Sequence, residues 1–450
     1  MLWYKGLLKL MTKLSGKKEI KTYIFAIAGF LFAAFAKINI GVPFVLLLLH
    51  CYAKSRQPNL KVPQHLYLIF LFLLAFVPSY FTINYNLPVY LIPFSLVPLL
   101  SILLFNNLEL SLLLTLAISL SVAFVSSNSF LVAILFFASG ISGCIFAKGT
   151  RKRTTVIRAG IAVGVIQVLV FIFMERFWIG FPLRYVSLFI NGLVSSIIVL
   201  GILPIFEYLF NTVTNISLLE LADFNQPLLQ RLVMEAPGTY HHSLVVGNLS
   251  ESACRAVGAN ALLARVGAYY HDIGKLDKAE YFSENQEVRE SKHDALSPEM
   301  SKLIIMNHVK EGVELAKKFR LSQSITDFIE QHHGNSLVYY FYRRALEKLE
   351  EDHEVKEDGF RYHCPKPTTK ETAIVLLADS VEAASRALKE PTAGKISEIV
   401  HKVINNKFID GQLDECDLTL KDLEKISEVF IRVLGGIYHS RINYPEEHKK

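Results

Sequence analysis

The sequence predicts an all-α protein in which a multi-span helical membrane domain precedes an all-α domain in the cytoplasm. Hydrophobic residues make up 52% of the 450 residues, and before residue 210 they form repeated runs of about twenty, the length of a bilayer-crossing helix. After residue 210, apolar side chains recur three and four positions apart, as on amphipathic helices, and strand patterns are scarce. We expect a basic N-terminus (1–21), a membrane domain (22–210), a linker helix (211–236) and the cytoplasmic domain (237–450).

Six membrane spans are predicted from the hydrophobic runs, and an earlier apolar block adds one or two more. That block, 22–53, is interrupted by Lys37 and by Gly41-Val42-Pro43, so it is either one tilted helix or two short passes. About seven or eight helices are therefore expected. The six spans lie near 64–82, 87–105, 108–126, 129–147, 156–174 and 185–210.

The charges of the membrane half predict its orientation. Residues 1–210 carry a net charge of +13, and because the whole chain carries +6, residues 211–450 carry −7. Basic loops of multi-pass proteins stay in the cytoplasm, and here the N-terminus, 54–61 and 148–153 are basic. An even number of spans would place all three, and the C-terminal domain, on the cytoplasmic side of the cell (inner) membrane. The basic excess belongs to these loops, so no surface for a nucleic-acid polymer is expected.

Cysteine usage fits a reducing compartment for the C-terminal half. The five cysteines are widely spaced, and no CxxC pair occurs among them. This pattern argues against a disulfide framework and against a thiolate metal site.

Histidines and aspartates of the C-terminal half have the order of a two-metal site. His271-Asp272 ends a predicted helix, with Gly274 as a helix stop, and His332-His333 ends another, directly before Gly334. Neighbouring residues on a helix point about 100° apart, so two of them reach one centre most easily at a helix end. Imidazoles and carboxylates suit divalent iron, manganese or zinc, and two such ions hold both oxygens of an in-line displacement at phosphorus. The candidate ligands are His242, His271, Asp272, His308, His332, His333 and Asp379.

The dyad with flanking histidines and a distal aspartate resembles the HD superfamily of metal-dependent phosphohydrolases. Over roughly 60–445 the chain is similar to the seven-transmembrane HD family of the PgpH type. The resemblance implies hydrolysis of cyclic di-AMP to linear pApA, which lowers the level of this second messenger. It is carried by EAPGTYHHSLVVGNL, HDIGK with YFSENQ, HDALSPEMSKLIIMNHVKEG, HHGNSLVYYFYRRA, PKPTTKETAIVLLADSVEAASR and DGQLDECDLTLKDLEKI.

The resemblance also implies two divalent metal ions, manganese or iron, that share Asp272 as a bridging ligand. Its family pattern assigns His242, His271, Asp272 and Asp379 to the first ion. It assigns Asp272, His308, His332 and His333 to the second.

Three departures from the family pattern stand out. Only a short break from Lys37 to Pro43 stands where the family carries a large extracytoplasmic domain, so we expect no sensing by such a domain. Leu276-Asp277-Lys278-Ala279-Glu280 replaces a Lys-Arg-Pro-like run after HDIGK, and Asn335 replaces the usual Thr after HHG.

Three residues are candidate substrate contacts. Lys275, three residues after the catalytic Asp272, is expected to contact a non-bridging phosphate oxygen; its alternative is an exposed helix-end lysine. Arg386 lies two helical turns after Asp379 and is expected to reach the second phosphate, unless it forms a surface ion pair. Tyr339 opens an aromatic cluster that could stack a base, with core packing as the alternative.

Two alternatives stay open. The same chemistry could act on another cyclic dinucleotide or nucleotide, although the Gly-Tyr-Pro loop typical of cyclic di-GMP phosphodiesterases does not follow the His pair. A catalytically silent nucleotide-binding membrane receptor would need no complete ligand set, and all seven ligands are present. The expected partners are a cyclic dinucleotide and the lipid bilayer, and the sequence leaves a homo-oligomer open.

Overall fold

The computed structural model describes residues 45, 62–126, 129–174, 182–286, 292–347 and 355–438. The chain divides into two units, Met1–Ile216 and Ser217–Lys450. Across the described residues the regular elements are helices, and the extended pairing there is a single isolated bridge between Leu337 and Arg361. The predicted all-α fold is confirmed.

The first unit contains five helices that are long and apolar enough to cross a membrane. They confirm five of the predicted spans, and the block 22–53 lies outside the described residues except for residue 45. The helices of this unit are α1 (Val62–Asn84), α2 (Leu96–Phe105), α3 (Leu108–Val125), α4 (Ser129–Ala147), α5 (Arg153–Met174) and α6 (Pro182–Phe210).

The predicted span at 87–105 is not one continuous helix. A 3-10 turn (Val89–Leu91) and the ten-residue helix α2 replace it. Ten residues extend about 15 Å, half of the hydrocarbon core. Pro88 and Pro93 interrupt the run, because proline lacks the N–H that a continuous helix needs. The Asn191 amide of α6 instead donates to the carbonyls of Tyr90, at 3.0 Å, and Ile92, at 2.7 Å.

Glycines allow α5 and α6 to approach closely. A Cβ on Gly160 would lie 2.7 Å from the carbonyl oxygen of Gly192, and one on Gly164 would lie 2.5 Å from that of Phe189. Small residues four apart are typical of helix contacts in membranes. Apolar side chains such as Phe173 remain exposed on the outside of the unit, as a lipid-facing surface requires.

The second unit is a bundle of helices with a continuous apolar core. The core includes Val246 of α9, Leu377 of α14, Val400 of α15 and Phe430 of α16, all fully buried. Its helices are α7 (Asn215–Leu221, which begins in the first unit), α8 (Pro227–Glu235), α9 (Pro237–Val257), α10 (Ala261–Tyr270), α11 (Pro298–Lys318), α12 (Gln323–Gln331), α13 (Tyr339–Glu347), α14 (Lys370–Arg386), α15 (Ala393–Ile409) and α16 (Leu420–Ile437).

The single linker helix expected at 211–236 is two short helices, α7 and α8. Between them the Asp223 carboxylate accepts a hydrogen bond from the backbone N–H of Asn225, at 3.0 Å, and forms a local turn. Pro227 then begins α8, at a position where its missing N–H has no helical partner to lose.

Candidate metal centre

The structure brings all seven predicted ligands together in one cluster. His242 comes from α9, His308 from α11 and Asp379 from α14, and the adjacent pairs come from the ends of α10 and α12. Six of the seven are buried, and His333 is partly exposed. The ligand atoms form three overlapping groups, each within 4.8 Å: His242, His271 and Asp379; His271, Asp272 and His332; and His308, His332 and His333.

The adjacent pairs face the cluster because their helices end there, as predicted. α10 ends at Tyr270, and Asp272 leaves the helical conformation with φ −108° and ψ 16°. α12 ends at Gln331, and Gly334 follows the second pair with φ +54°, a left-handed conformation that favours glycine.

Gly274 has a role other than the predicted helix stop. A 3-10 helix, Ile273–Tyr281, continues through it. A Cβ on Gly274 would overlap the carbonyl oxygen of His308 and lie 2.5 Å from the backbone nitrogen of Gly312. The glycine therefore lets the turn after Asp272 lie directly against α11, which brings His308 to the cluster.

Asp272 occupies the middle of the cluster, with one oxygen toward each side. Its Oδ2 lies 3.6 Å from Nε2 of His242 and 3.3 Å from Nε2 of His271. Its Oδ1 lies 3.4 Å from Nε2 of His308 and 3.6 Å from Nε2 of His332. A carboxylate in this position can bind two cations at once, one through each oxygen.

Asp379 lies beside the first histidine pair and also reaches His333. Its Oδ1 is 3.0 Å from Nε2 of His242 and 3.9 Å from Nε2 of His271. Its Oδ2 is 3.6 Å from Nδ1 of His333. The cluster thus contains two carboxylates among five imidazoles.

Backbone carbonyls orient three of the histidines. Nδ1 of His271 donates to the carbonyl of Ala268, at 2.7 Å, and Nδ1 of His308 donates to that of Ile305, at 2.5 Å. Nδ1 of His332 donates to the carbonyl of Ile329, at 2.9 Å. Because Nδ1 carries the proton, the lone pair of Nε2 points into the cluster, as in metal-binding histidines.

Glu382 orients the fourth histidine, and the sequence analysis missed it. It lies three residues after Asp379 on α14, 3% exposed, and its Oε2 accepts from Nδ1 of His242 at 2.5 Å. A carboxylate one helical turn from a ligand would have been the signal, because i and i+3 lie on one helix face.

Buried polar atoms without partners show that this donor set fits metal cations. Nε2 of His271 and both carboxylate oxygens of Asp272 are buried and have no hydrogen-bond partner, apart from the ion pair of Asp272 with Lys275. Nε2 of His242 is also buried, with Oδ1 of Asp379 3.0 Å away. Such atoms are costly unless something else binds them. Imidazole nitrogen and carboxylate oxygen together suit manganese, iron and zinc.

The pKa values show that the cluster favours positive charge. Burial alone would lower the pKa of His271, but Asp272 and Asp379 outweigh it and raise that pKa to about 10. Burial lowers the pKa of His308 to about 3, with only partial compensation from Asp272, so His308 is neutral and ready to bind a metal. The same field that holds a proton on His271 would stabilise a metal cation in its place.

Lys275 is buried beside Asp272, not exposed at a helix end. Its ammonium lies 2.7 Å from Oδ2 of Asp272 and 2.8 Å from Oε1 of Glu284. Glu284 is fixed in turn by the hydroxyl of Thr239, at 3.2 Å. Burial alone would lower the pKa of Lys275, but the two carboxylates raise it well above its usual value. The lysine is therefore a fixed cation at the edge of the cluster.

The other two candidate substrate contacts lie farther out. Nε of Arg386 donates to Glu382 at 2.6 Å, so the arginine contacts His242 only through the carboxylate of Glu382. Tyr339 is 64% exposed at the start of α13. Tyr362, which the sequence analysis did not single out, stacks on the ring of His333 with centroids 4.3 Å apart.

An all-helical bundle whose His-Asp dyad bridges two groups of histidines defines the HD class of metal-binding domains. A family model described as "HD domain" matches residues 239–384, and one described as "7TM receptor with intracellular HD hydrolase" matches residues 19–214. Both halves of the chain thus match models of seven-transmembrane HD proteins.

The chain is similar to two curated relatives and to a solved domain, all three named PgpH. The chain is 39% identical over 432 residues to "Cyclic-di-AMP phosphodiesterase PgpH" of Bacillus subtilis, covering 92% of this chain and 60% of the relative. It is 37% identical over 454 residues to the protein of that name from Listeria monocytogenes, covering 98% and 61%. The chain thus spans about three-fifths of the length of these relatives.

The chain also matches the crystal structure of the L. monocytogenes PgpH HD domain, with 49% sequence identity and a TM-score of 0.46. The match covers 48% of this chain and 100% of the crystallised chain. A second structure of that domain, described as a complex with cyclic-di-AMP, has the same identity and TM-score and covers 49% of this chain.

Proposed function

We propose that this protein is a membrane-anchored, metal-dependent phosphodiesterase that hydrolyses cyclic di-AMP to linear pApA. One observation carries the reaction class: Asp272 directs each carboxylate oxygen at a different group of buried histidines. The substrate follows from the two relatives and the solved domain, whose names specify cyclic di-AMP. The proposed product loses one of two phosphodiester bonds, so the second messenger is destroyed.

The seven ligands would hold two divalent ions, manganese or iron. His242, His271 and Asp379 would hold the first, His308, His332 and His333 the second, with Asp272 between them. When bound, such ions activate water and neutralise negative charge on a phosphoryl group.

The chain's own groups orient the reaction. Asp272 places the two halves of the cluster in a fixed relation, and its ion pair with Lys275 keeps a cation beside it. The third N–H of Lys275, beyond its two ion pairs, would donate to a non-bridging phosphate oxygen and stabilise developing charge there. Arg386 and Tyr339 remain candidate contacts for the second phosphate and for a base.

We also propose that the hydrolase unit lies in the cytoplasm. The basic segments 54–61 and 148–153 favour that side, and the matching family model describes its hydrolase as intracellular. Cyclic dinucleotides are soluble anions, so the bilayer anchors the enzyme and does not contribute to binding them.

The test uses the full-length protein in detergent, supplied with manganese or iron. Cyclic di-AMP and cyclic di-GMP are incubated with it separately, and products are separated by chromatography. We expect conversion of cyclic di-AMP to pApA, and at least a hundredfold loss in Asp272→Ala, because catalytic metal-site residues contribute several kcal/mol to catalysis, about tenfold for each 1.36 kcal/mol.

Two other outcomes would overturn the proposal. Turnover of cyclic di-GMP alone would assign the site to another dinucleotide. Two bound metals without turnover of either compound would favour the silent receptor.

A further inference from the structure

Lys407, in the last turn of α15, is a partly buried cation that the sequence analysis did not single out. Its ammonium donates to the hydroxyl of Ser336 at 2.7 Å. Burial lowers the pKa of this ammonium, and the carboxylates of Asp379 and Asp410 offset the burial only in part. Asp379 is a ligand of the metal centre, so Lys407 lies within its electrostatic reach.

The other cations near the centre are already neutralised. Lys275 pairs with two carboxylates, as does Arg361 through Glu357 and Asp410, and Arg386 pairs with Glu382. Within the described part of the chain, no carboxylate lies within 4.0 Å of the Lys407 ammonium. A partly buried ammonium with two N–H donors left over favours an anion beside it.

The loop that carries Ser336 is fixed to the metal centre. Ser336 N–H donates to the carbonyl of His333 at 3.1 Å, three residues after that ligand. The buried amide of Gln412 accepts from the N–H of Asn335, at 3.1 Å, and donates to its side-chain oxygen, at 2.6 Å. The loop therefore holds its place, and with it the position of Lys407 relative to His333.

Charge balance indicates what the ammonium binds. Two divalent cations beside two aspartates would leave the cluster positive, and this charge would repel Lys407 unless an anion lay between them. Lys407 lies beside the loop that follows His333. A ligand with two phosphates would place one at the metal centre and the other at the Lys407 ammonium.

We propose that the Lys407 ammonium binds the phosphate of a cyclic dinucleotide that is not being cleaved. The proposal rests on the proposed function and extends it to a residue that selects ligands with two phosphates. Lys407 touches substrate but not the reacting phosphorus, so its loss should raise KM and leave kcat nearly unchanged.

The test compares Lys407→Met and Lys407→Arg with Lys402→Met, an exposed lysine on the same helix. Each full-length, manganese-loaded protein hydrolyses bis(p-nitrophenyl) phosphate, which has one phosphate. The inhibition constant of cyclic di-AMP is then measured against this reaction, and its KM and kcat are measured directly.

Lys407→Met should raise KM and the inhibition constant for cyclic di-AMP about tenfold or more, because hydrogen bonds to charged groups are among the strongest. Hydrolysis of bis(p-nitrophenyl) phosphate, manganese content and melting temperature should stay unchanged. Lys407→Arg should recover part of the affinity, and Lys402→Met should behave like the unmodified protein.

An unchanged inhibition constant in Lys407→Met would overturn the proposal. An equal loss with both substrates, or a loss of manganese, would assign Lys407 a structural role and overturn it too. If the unmodified protein binds cyclic di-AMP without cleaving it, the proposed function fails, yet the inhibition constants still decide the role of Lys407. If it does not bind cyclic di-AMP, both fail.

Discussion

Replacement of Glu382 by alanine should weaken metal binding without touching a metal ligand. The substitution removes the carboxylate that accepts from Nδ1 of His242 at 2.5 Å, in a residue that is 3% exposed. It also removes the ion-pair partner of Arg386, whose side chain is 34% exposed and can turn to water. A hydrogen bond to a buried carboxylate contributes about 1.5–3 kcal/mol. At 1.4 kcal/mol per tenfold, the affinity of the His242 side for metal should fall about 10- to 100-fold.

The assay titrates the metal-free full-length protein with manganese and follows both bound metal and hydrolysis of bis(p-nitrophenyl) phosphate. Glu382→Ala should bind one equivalent normally and the other weakly, and saturating manganese should restore most of the rate. Glu398→Ala, an exposed carboxylate on α15, is the matched control. Unchanged affinity for both equivalents would refute this reasoning, as would a loss of rate that manganese does not restore.

Two further predictions concern close packing and the interrupted membrane segment. Gly274→Ala should destabilise the protein by about 1–3 kcal/mol or more and release metal, because the added Cβ overlaps the backbone of α11. Gly394→Ala is the control, because its Cβ would meet no atom within 4 Å. Thermal unfolding and metal analysis of the two variants test this prediction. Asn191→Leu should destabilise the membrane domain by about 1–3 kcal/mol, because the Tyr90 carbonyl loses the amide donor and the Ile92 carbonyl keeps only the N–H of Phe94. The exposed Val194→Leu should not destabilise it, and equal unfolding curves of the two variants in detergent would contradict this prediction.

The membrane domain shows which helices a sequence pattern predicts and which it does not. Five spans were predicted correctly because about twenty apolar residues in succession leave few alternatives to a crossing helix. The run at 87–105 is equally apolar, yet it breaks at Pro88 and Pro93. The sequence shows those prolines, but it does not show that the side chain of Asn191, a hundred residues away, donates to the carbonyls of Tyr90 and Ile92.

The linker shows the same limit on a smaller scale. Apolar spacing across 211–236 is helical, so a single helix was expected. The Asp223 turn and Pro227 divide it, because a local side-chain hydrogen bond competes with the helical one.

The sequence by itself determined the helical class, the division into a membrane half and a half with the candidate metal site, and the identity of the seven candidate ligands. The class and the division follow from hydrophobic runs and helical periodicity, and four ligands follow from the adjacent His271-Asp272 and His332-His333 pairs at helix ends. The single ligands His242, His308 and Asp379 follow from their order along the chain and from the resemblance to a known family.

Only the tertiary structure decided how those residues act together. It directed the two oxygens of Asp272 toward different histidines, placed Glu382 behind His242, and placed Lys407 beside the loop of His333 without a carboxylate within 4.0 Å. The physical reason is that hydrogen bonds and charges act over a few ångströms in space, between helices far apart in sequence, and a carboxylate or an ammonium acquires its role only from the atoms that surround it.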